Sequence, residues 1–556
     1  MKVISKIQKV KSIPLRFSIN KLFEKLFALN NKTKELHNIN NIIFDKININ
    51  LYNSNIINDI INLNNNIDSH IIDNIFLHKF NLLGSTDTII SYHTNVNGFE
   101  KVKYDNHLPN FNSLIEAYNY LILDNIKDNK KDIVDLISDN YQLIDWQFDF
   151  HSGYRWSEKI ESKNIKIGDE RGADMKVPWE LARFQHLPIL AIYFAQNPDI
   201  ENSKKDNIVN EFCNQILDFL AFNPINYGIH WKVGMEVSIR TVNLIFAYQI
   251  FKQSGAQFNQ EFESIFLKFT SDSLQFIINN FEWSGGLRGN HYFTNISAIF
   301  FITSFLGKEN YNELFNFAAN EIINETLVQF NQDGGNFEGS FCYHLFVVEM
   351  LLWDLVIIND IELDLIKSHP KYDEFLNRIE KILEFNADML GRNNYIPQIG
   401  DNDSGYFLGI SSDSSSLRNI KFLIKLIDLN ITTTTILEPI KKSKLYNYFT
   451  KNEPIDFSEK QILFPDSGIF IFQNSNYKIW ISLGTKAQFG KGGHNHQDTT
   501  SFILQVGEMP VIVDPGTYIY TALPEMRNLF RSYNYHNSYC PINYELKTKE
   551  IDDLFW

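Results

Sequence analysis

Apolar residues recur at three-and-four spacing through 179–196, 207–221, 234–253, 260–281, 291–306, 310–329, 341–359 and 372–390. That period predicts a helix in each stretch. Turn-rich loops separate them: Asn223-Pro224, Gly285-Gly286, Asp333-Gly334-Gly335, and Asn393 to Gly405. Helices of ordinary length joined this way suit antiparallel hairpins. Hairpins closing into a toroid would gather their polar, aromatic-rich loops at one end. After about residue 455 the pattern changes. Residues 467–472, 477–483 and 501–506 read as short strands between turn residues. A β-sheet domain therefore follows a helical one, with Asn452-Glu453-Pro454 as the join. Residues 30–66 are crowded with Asn and Ile, and the chain up to about 110 reads as irregular. The expected division is an N-terminal section at 1–110, a helical domain at 111–450 and a β-domain at 455–556.

Composition narrows the partners. The 556 residues are 44% hydrophobic and 14% aromatic, enough for large cores. A formal net charge of −15 argues against nucleic acid or an anionic membrane as the main partner. An acidic substrate remains open, because a basic cleft can sit on an acidic protein. Cys213, Cys342 and Cys540 are widely spaced and odd in number, so no disulfide framework or CxxC knuckle is expected. No run of 18 uncharged apolar residues predicts a membrane span, and no apolar core follows the basic Met1–Lys6 start. That first segment reads as a docking helix or a frayed end rather than an amphipathic surface helix.

Chemistry concentrates in a few motifs. Gly493-His494-Asn495-His496-Gln497-Asp498 lies between strand-like stretches. Two histidines at i and i+2 on an extended strand would point to opposite faces, one toward a cleft and one inward. Asp514 and His536 lie downstream, and two imidazoles with a carboxylate can build a zinc site with its fourth position open. In Trp283 to Tyr292, a glycine-rich turn leads into a helix with Asn290 and His291 at or near its N-cap, able to hydrogen-bond a carboxylate. Tyr343 opens the helix after Asp333 to Cys342. Arg171, Lys176, Arg183, Arg240 and Arg288 supply local positive charge, although Arg183 and Arg240 read first as ion-pair partners of Glu180 and Glu236.

Taken in order, these motifs resemble the heparinase II/III-like polysaccharide lyases and the related alginate lyases. The series runs from Asp145-Trp146 and Ser152 to Trp156, through Lys176 to Phe184 and Met235 to Arg240, to Gly289-Asn290-His291 and Gly334 to Tyr343. It ends with Gly493 to Asp498, Asp514 to Tyr518, Arg531-Ser532 and His536-Asn537. The resemblance implies an incomplete (α/α) toroid followed by an antiparallel β-sandwich, with the site in the cleft between them. It implies that Asn290 and His291 neutralise a uronate carboxylate, Tyr343 acts as acid and in some members as base, and His494 is the base in others. His496, Asp514 and His536 match the ligands of a structural divalent metal, usually zinc. Arg288, Trp179 and Arg531 are the candidates for contact with an acidic polysaccharide or oligosaccharide. The reaction implied is β-elimination. Donors on the carboxylate stabilise charge as the C5 proton leaves, and a second group protonates the departing O4.

Two departures stand beside the resemblance. The chain stops at Trp556, where members usually continue for further strands, so the sandwich is expected to be short. No secretory signal is evident, although members are often periplasmic or secreted, which suits a role in an exopolysaccharide biosynthesis locus. Two rival readings follow. One is a toroidal glycoside hydrolase using paired carboxylates from Asp333, Glu338, Asp401 and Asp403, although Asp401 to Gly405 also reads as a turn. The other is a glycan-binding protein that keeps the fold without activity.

Overall fold

Hairpin topology makes every second helix run the same way, and this decides where the functional residues collect. The computed structural model describes residues 54–539, apart from 106–107, 112, 128–129, 285–286, 362, 431–434 and 485–486. Expectations for the N-terminal 53 residues and for Cys540 lie outside the described residues. The principal helices are α1 (Ser54–Leu63), α2 (Lys176–Ala182), α3 (Leu187–Gln196), α4 (Asn202–Phe222), α5 (Gly234–Gln253) and α6 (Gln260–Asn279). They continue with α7 (Asn290–Phe305), α8 (Asn312–Gln329), α9 (Phe341–Ile361), α10 (Tyr372–Met389), α11 (Ser416–Asn430) and α12 (Pro524–Arg531).

The inner layer is a ring. Helix α3 packs on α5, α5 on α7, α7 on α9 and α9 on α11, while the short α1 spans the gap between α11 and α3. Helices α4, α6, α8 and α10 lie outside, giving the (α/α) toroid. Sequence separates the layers. An inner helix is covered on both sides, so α7 buries every residue except His291. An outer helix buries one stripe, as α10 does with Phe375, Ile379, Ile382, Leu383 and Phe385. The same logic explains Phe341–Asn359. It is long and apolar enough to cross a membrane, yet 94% of it is buried as an inner helix. The predicted helix over 179–196 is broken into α2 and α3, with Phe184 between them in the left-handed region at φ 55°.

The sheet is an antiparallel meander in the order β1 (Lys460–Phe464), β2 (Ile469–Gln473), β3 (Tyr477–Ser482), β4 (Phe502–Val506) and β5 (Met509–Ile512). Strands β1 and β5 were not anticipated from sequence. The register aligns Ile471, Trp480 and Ile503 in one buried row. This face turns toward the toroid. The Trp480 indole donates to the Met389 carbonyl at 2.9 Å and Lys478 Nζ to the Leu390 carbonyl at 2.8 Å. Among the described residues the domain supplies this one layer of a sandwich.

Candidate active site

Because the inner helices are parallel, α7 and α9 begin at the same rim, and that rim faces the sheet domain. Three backbone segments meet there. Ser340 caps α9, accepting from the Tyr343 N–H at 3.2 Å and donating to the Asp401 carbonyl at 2.6 Å. The Asp401 N–H donates to the His494 carbonyl at 2.8 Å. Gly400 sits between, at φ 71°, where a Cβ would lie 2.6 Å from the carbonyl oxygens of both Gly339 and His494. Only glycine allows that approach.

On this junction the Tyr343 ring stacks on His494, with centroids 3.7 Å apart and planes 14° from parallel. Each is held by its own carboxylate from the Asp401-Asn402-Asp403 turn. The Tyr343 hydroxyl donates to Asp403 Oδ2 at 3.0 Å, and His494 Nδ1 lies 2.9 Å from Asp401 Oδ2. Burial first, then the Asp403 charge, pushes the phenol well above its ordinary value. Asp403 moves the other way. Burial opposes its ionisation, but Lys176 at 2.8 Å overrides this and holds the carboxyl below the usual range. Its second oxygen accepts from the Gly405 N–H at 3.0 Å, so the predicted turn and the site share one side chain.

Asp401 is the hub. Its Oδ1 also meets His496 Nε2 at 2.9 Å, and Arg527 donates to Oδ2 at 2.6 Å, with Arg531 Nε 3.4 Å from Oδ1. Burial works against the charge, but these four partners hold the carboxyl well below its ordinary value. An ionised carboxylate only accepts, so it fixes both ring tautomers. In the neutral rings His494 keeps its lone pair at Nε2, and His496 keeps its own at Nδ1. The opposite-face argument fails in its detail here. His494-Asn495-His496 is a loop rather than a strand, and both rings turn to the same carboxylate.

His496, Asp514 and His536 do come together, with one ligand atom from each lying within 4.8 Å of the others. His536 Nδ1 is 2.7 Å from Asp514 Oδ2. His496 Nδ1 and His536 Nε2 are buried without a hydrogen-bond partner. Two bare imidazole nitrogens beside a carboxylate suit a zinc ion, and Asp498 is buried beside them as a carboxylate that sequence left unassigned.

The other candidates are placed less openly. Asn290 is the first residue of α7, with Gly289 at the cap. Its side-chain amide donates to Glu338 Oε2 at 2.7 Å, while its Oδ1 is buried without a partner. His291 Nδ1 lies 2.9 Å from Glu282, and its side chain is 38% exposed. Burial lowers its basicity, but Glu282 more than restores it and the net shift is upward. Trp179, expected at the substrate, is instead a core residue, buried with its indole donating to the Ile229 carbonyl at 3.0 Å. Arg288, also expected there, pairs with Glu325 at 2.9 Å and Glu321 at 3.4 Å. Arg531 braces the histidine loop through the carbonyls of Gly493 and Asn495, and lines a cavity of about 240 Å³ with His496.

Sequence reasoning missed Glu282, Arg527 and Gln488, whose amide donates to Glu338 Oε1 at 3.2 Å, as site residues; it counted Lys176 only as local positive charge, and gave Asp401 and Asp403 another role. Arg183 does pair with Glu180, and it also takes Glu236, 53 residues away, while Arg240 donates instead to the carbonyls of Ala182 and His230. Cys342 is a half-buried thiol that burial pushes up to about 12, which leaves it inert at neutral pH.

A model of the heparinase II/III N-terminus matches residues 91–419, and the heparinase II/III-like C-terminal model matches residues 458–540. No curated protein matches the chain. Among solved structures, heparinase III is 17% identical, with 80% of this chain and 65% of that chain covered at a TM-score of 0.48. A heparinase III gene product gives 17%, 76%, 65% and 0.48 in the same terms. Heparan sulfate lyase HepC from Pedobacter heparinus gives 16%, 72%, 58% and 0.42. The chain thus spans 58–65% of the length of these proteins. The N-terminal match alone covers more than half of the 556 residues, and the chain belongs to the heparinase II/III family.

Proposed function

We propose that this protein is a polysaccharide lyase that cleaves uronic-acid-containing glycans by β-elimination. The observation that carries the proposal is the stacked Tyr343–His494 pair, each member tied to a separate buried carboxylate. A phenol held protonated beside an imidazole with a bare nitrogen is an acid next to a base. His494 Nε2 takes the C5 proton, and the Tyr343 hydroxyl, which stays protonated at neutral pH, donates to the departing O4. The outward N–H of the His291 imidazolium binds the uronate carboxylate. Asn290 joins it when the carboxylate takes the place of Glu338 at its amide. Charge developing on the carboxylate is thereby stabilised at the rim where α7 and α9 begin.

The partners of the four carboxylates support the hydrolase reading less. Asp401 and Asp403 are ion-paired and depressed, Asp333 latches Ser467 across the domains at 2.6 Å, and Glu338 holds Asn290. A glycosidase needs one carboxyl raised to donate a proton. The test is incubation with a panel of uronate polysaccharides while near-ultraviolet absorbance is followed. A rise marks the 4,5-unsaturated product. New reducing ends without absorbance would overturn the lyase reading.

Two further results are expected. The kcat/KM should fall as pH rises through the elevated His291 pKa, because only the imidazolium donates to the carboxylate. The sign is that of a raised base, with the charged form present below and lost above. Glu282→Gln removes the charge that raises it, so the alkaline limb should move to lower pH. An unmoved limb would discharge His291 from the role. We also assign His496, Asp514 and His536 to a structural zinc, which when bound would tie the His536 segment to the histidine loop. Purified protein should carry about one zinc per chain. Chelation or His536→Ala should lower the melting temperature, and an unchanged melting curve with no bound metal would remove the ion from the account.

A further inference from the structure

The chemistry proposed above leaves Tyr518 without a role, yet its backbone is held in the left-handed region at φ 66° and its side chain is 45% exposed. Strain in a non-glycine residue persists only where surrounding structure enforces it. Tyr518 lines a cavity of about 200 Å³, far more than the roughly 30 Å³ share of one water. Three parts of the chain build that cavity. Leu83 and Phe99 come from the N-terminal section, His151 and Lys176 from the toroid, and Tyr518 and Tyr520 from the loop after the sheet. Asp403 forms part of the wall, so the Tyr343 hydroxyl lies one hydrogen bond behind it.

The chemistry of the wall suits a sugar. Aromatic faces stand beside the Ser404 and Thr517 hydroxyls and the Asn402 amide. Ser404 is a second non-glycine residue in the left-handed region, at φ 57°. The Tyr518 ring rests on Phe530 with centroids 5.1 Å apart, and its hydroxyl meets Glu100 of the N-terminal section. The cavity does not stop there. It shares Leu83, Phe99 and His151 with a larger trough of about 740 Å³ lined by residues of the 79–99 segment.

We propose that this cavity is a sugar subsite adjoining Tyr343, with Tyr518 as its aromatic wall, and that the polymer continues from it into the N-terminal trough. The ligand class is a neighbouring unit of a uronate polysaccharide, so the inference rests on the lyase reading. The chain's irregular-looking N-terminal section then becomes part of substrate recognition rather than a spacer.

The test uses the full chain carrying Tyr343→Phe, so that ligands survive, and titrates it with heparan-type and alginate oligosaccharides from di- to hexasaccharide. Affinity should rise with length for at least one series. Adding Tyr518→Ala should weaken the longer members about tenfold and flatten the rise, the loss of one ring contact. Tyr518→Phe keeps the ring and should keep the affinity. Matching melting curves will exclude misfolding of an exposed substitution. Affinity unchanged by Tyr518→Ala would overturn the subsite and leave the lyase reading intact. No binding by any member of either series would overturn both.

Discussion

Replacing Tyr343 by Phe is expected to lower the rate of uronate elimination by about 10²–10⁴-fold, the usual worth of a positioned acid–base group. Affinity for the polymer and the melting temperature should change little. The substitution keeps the ring that stacks on His494 and removes only the hydroxyl. Its stability cost is one hydrogen bond to Asp403, about 1 kcal/mol. Asp403 keeps Lys176 and the Gly405 N–H, so no buried charge is abandoned. The split between kcat and KM is the informative readout. A residue that only packed would lower stability and leave the rate of the folded fraction unchanged. Absorbance of the unsaturated product under saturating polymer measures it directly, and a Phe variant at wild-type rate would strip Tyr343 of its part.

The helices were legible because inner and outer positions impose strong periodic or continuous apolar runs. The predicted 234–253 and 372–390 coincide with α5 and α10 to within a residue. Helix α1 was hidden because Asn and Ile dominate its surroundings, so its period does not stand out from composition. Strand β5 was missed because Met509, Pro510, Val511 and Ile512 do not alternate, and Pro510 is tolerated there on an edge. At the site, residue types in ordered motifs pointed to Tyr343, His494 and the His496–Asp514–His536 group. Pairing could not be read the same way. Asp401 and His494 are 93 residues apart, and Lys176 and Asp403 are 227 apart. Local spacing carries no signal for contacts that only the closure of the ring and the docking of the sheet create. Trp179 illustrates the reverse error, since its motif neighbours suggested a cleft while its burial in the core depended on Ile229.

Asp401→Ala should have the largest effect on stability, because it removes the one carboxylate that Arg527, Arg531, His494 and His496 share. Breaking a buried charge pair from one side costs about 3–5 kcal/mol, since the remaining charge stays out of water. A chemical denaturation series should show that loss as a lower midpoint. Asp401→Asn separates charge from shape. The amide keeps the volume, but it offers one acceptor oxygen where two rings now donate to two. At least one histidine must then change tautomer or give up its partner. If His494 does so, its bare Nε2 is lost and elimination falls even in folded protein. If His496 does so, Nδ1 is no longer fixed as a metal ligand, and zinc affinity should fall by about 10–100-fold, as for other outer partners of ligating histidines. Rate and metal content measured on the same Asn variant therefore tell which ring depends more on the carboxylate. Wild-type values for both would mean that Asp401 fixes neither tautomer, and the assignment of His494 Nε2 as proton acceptor would have to be withdrawn.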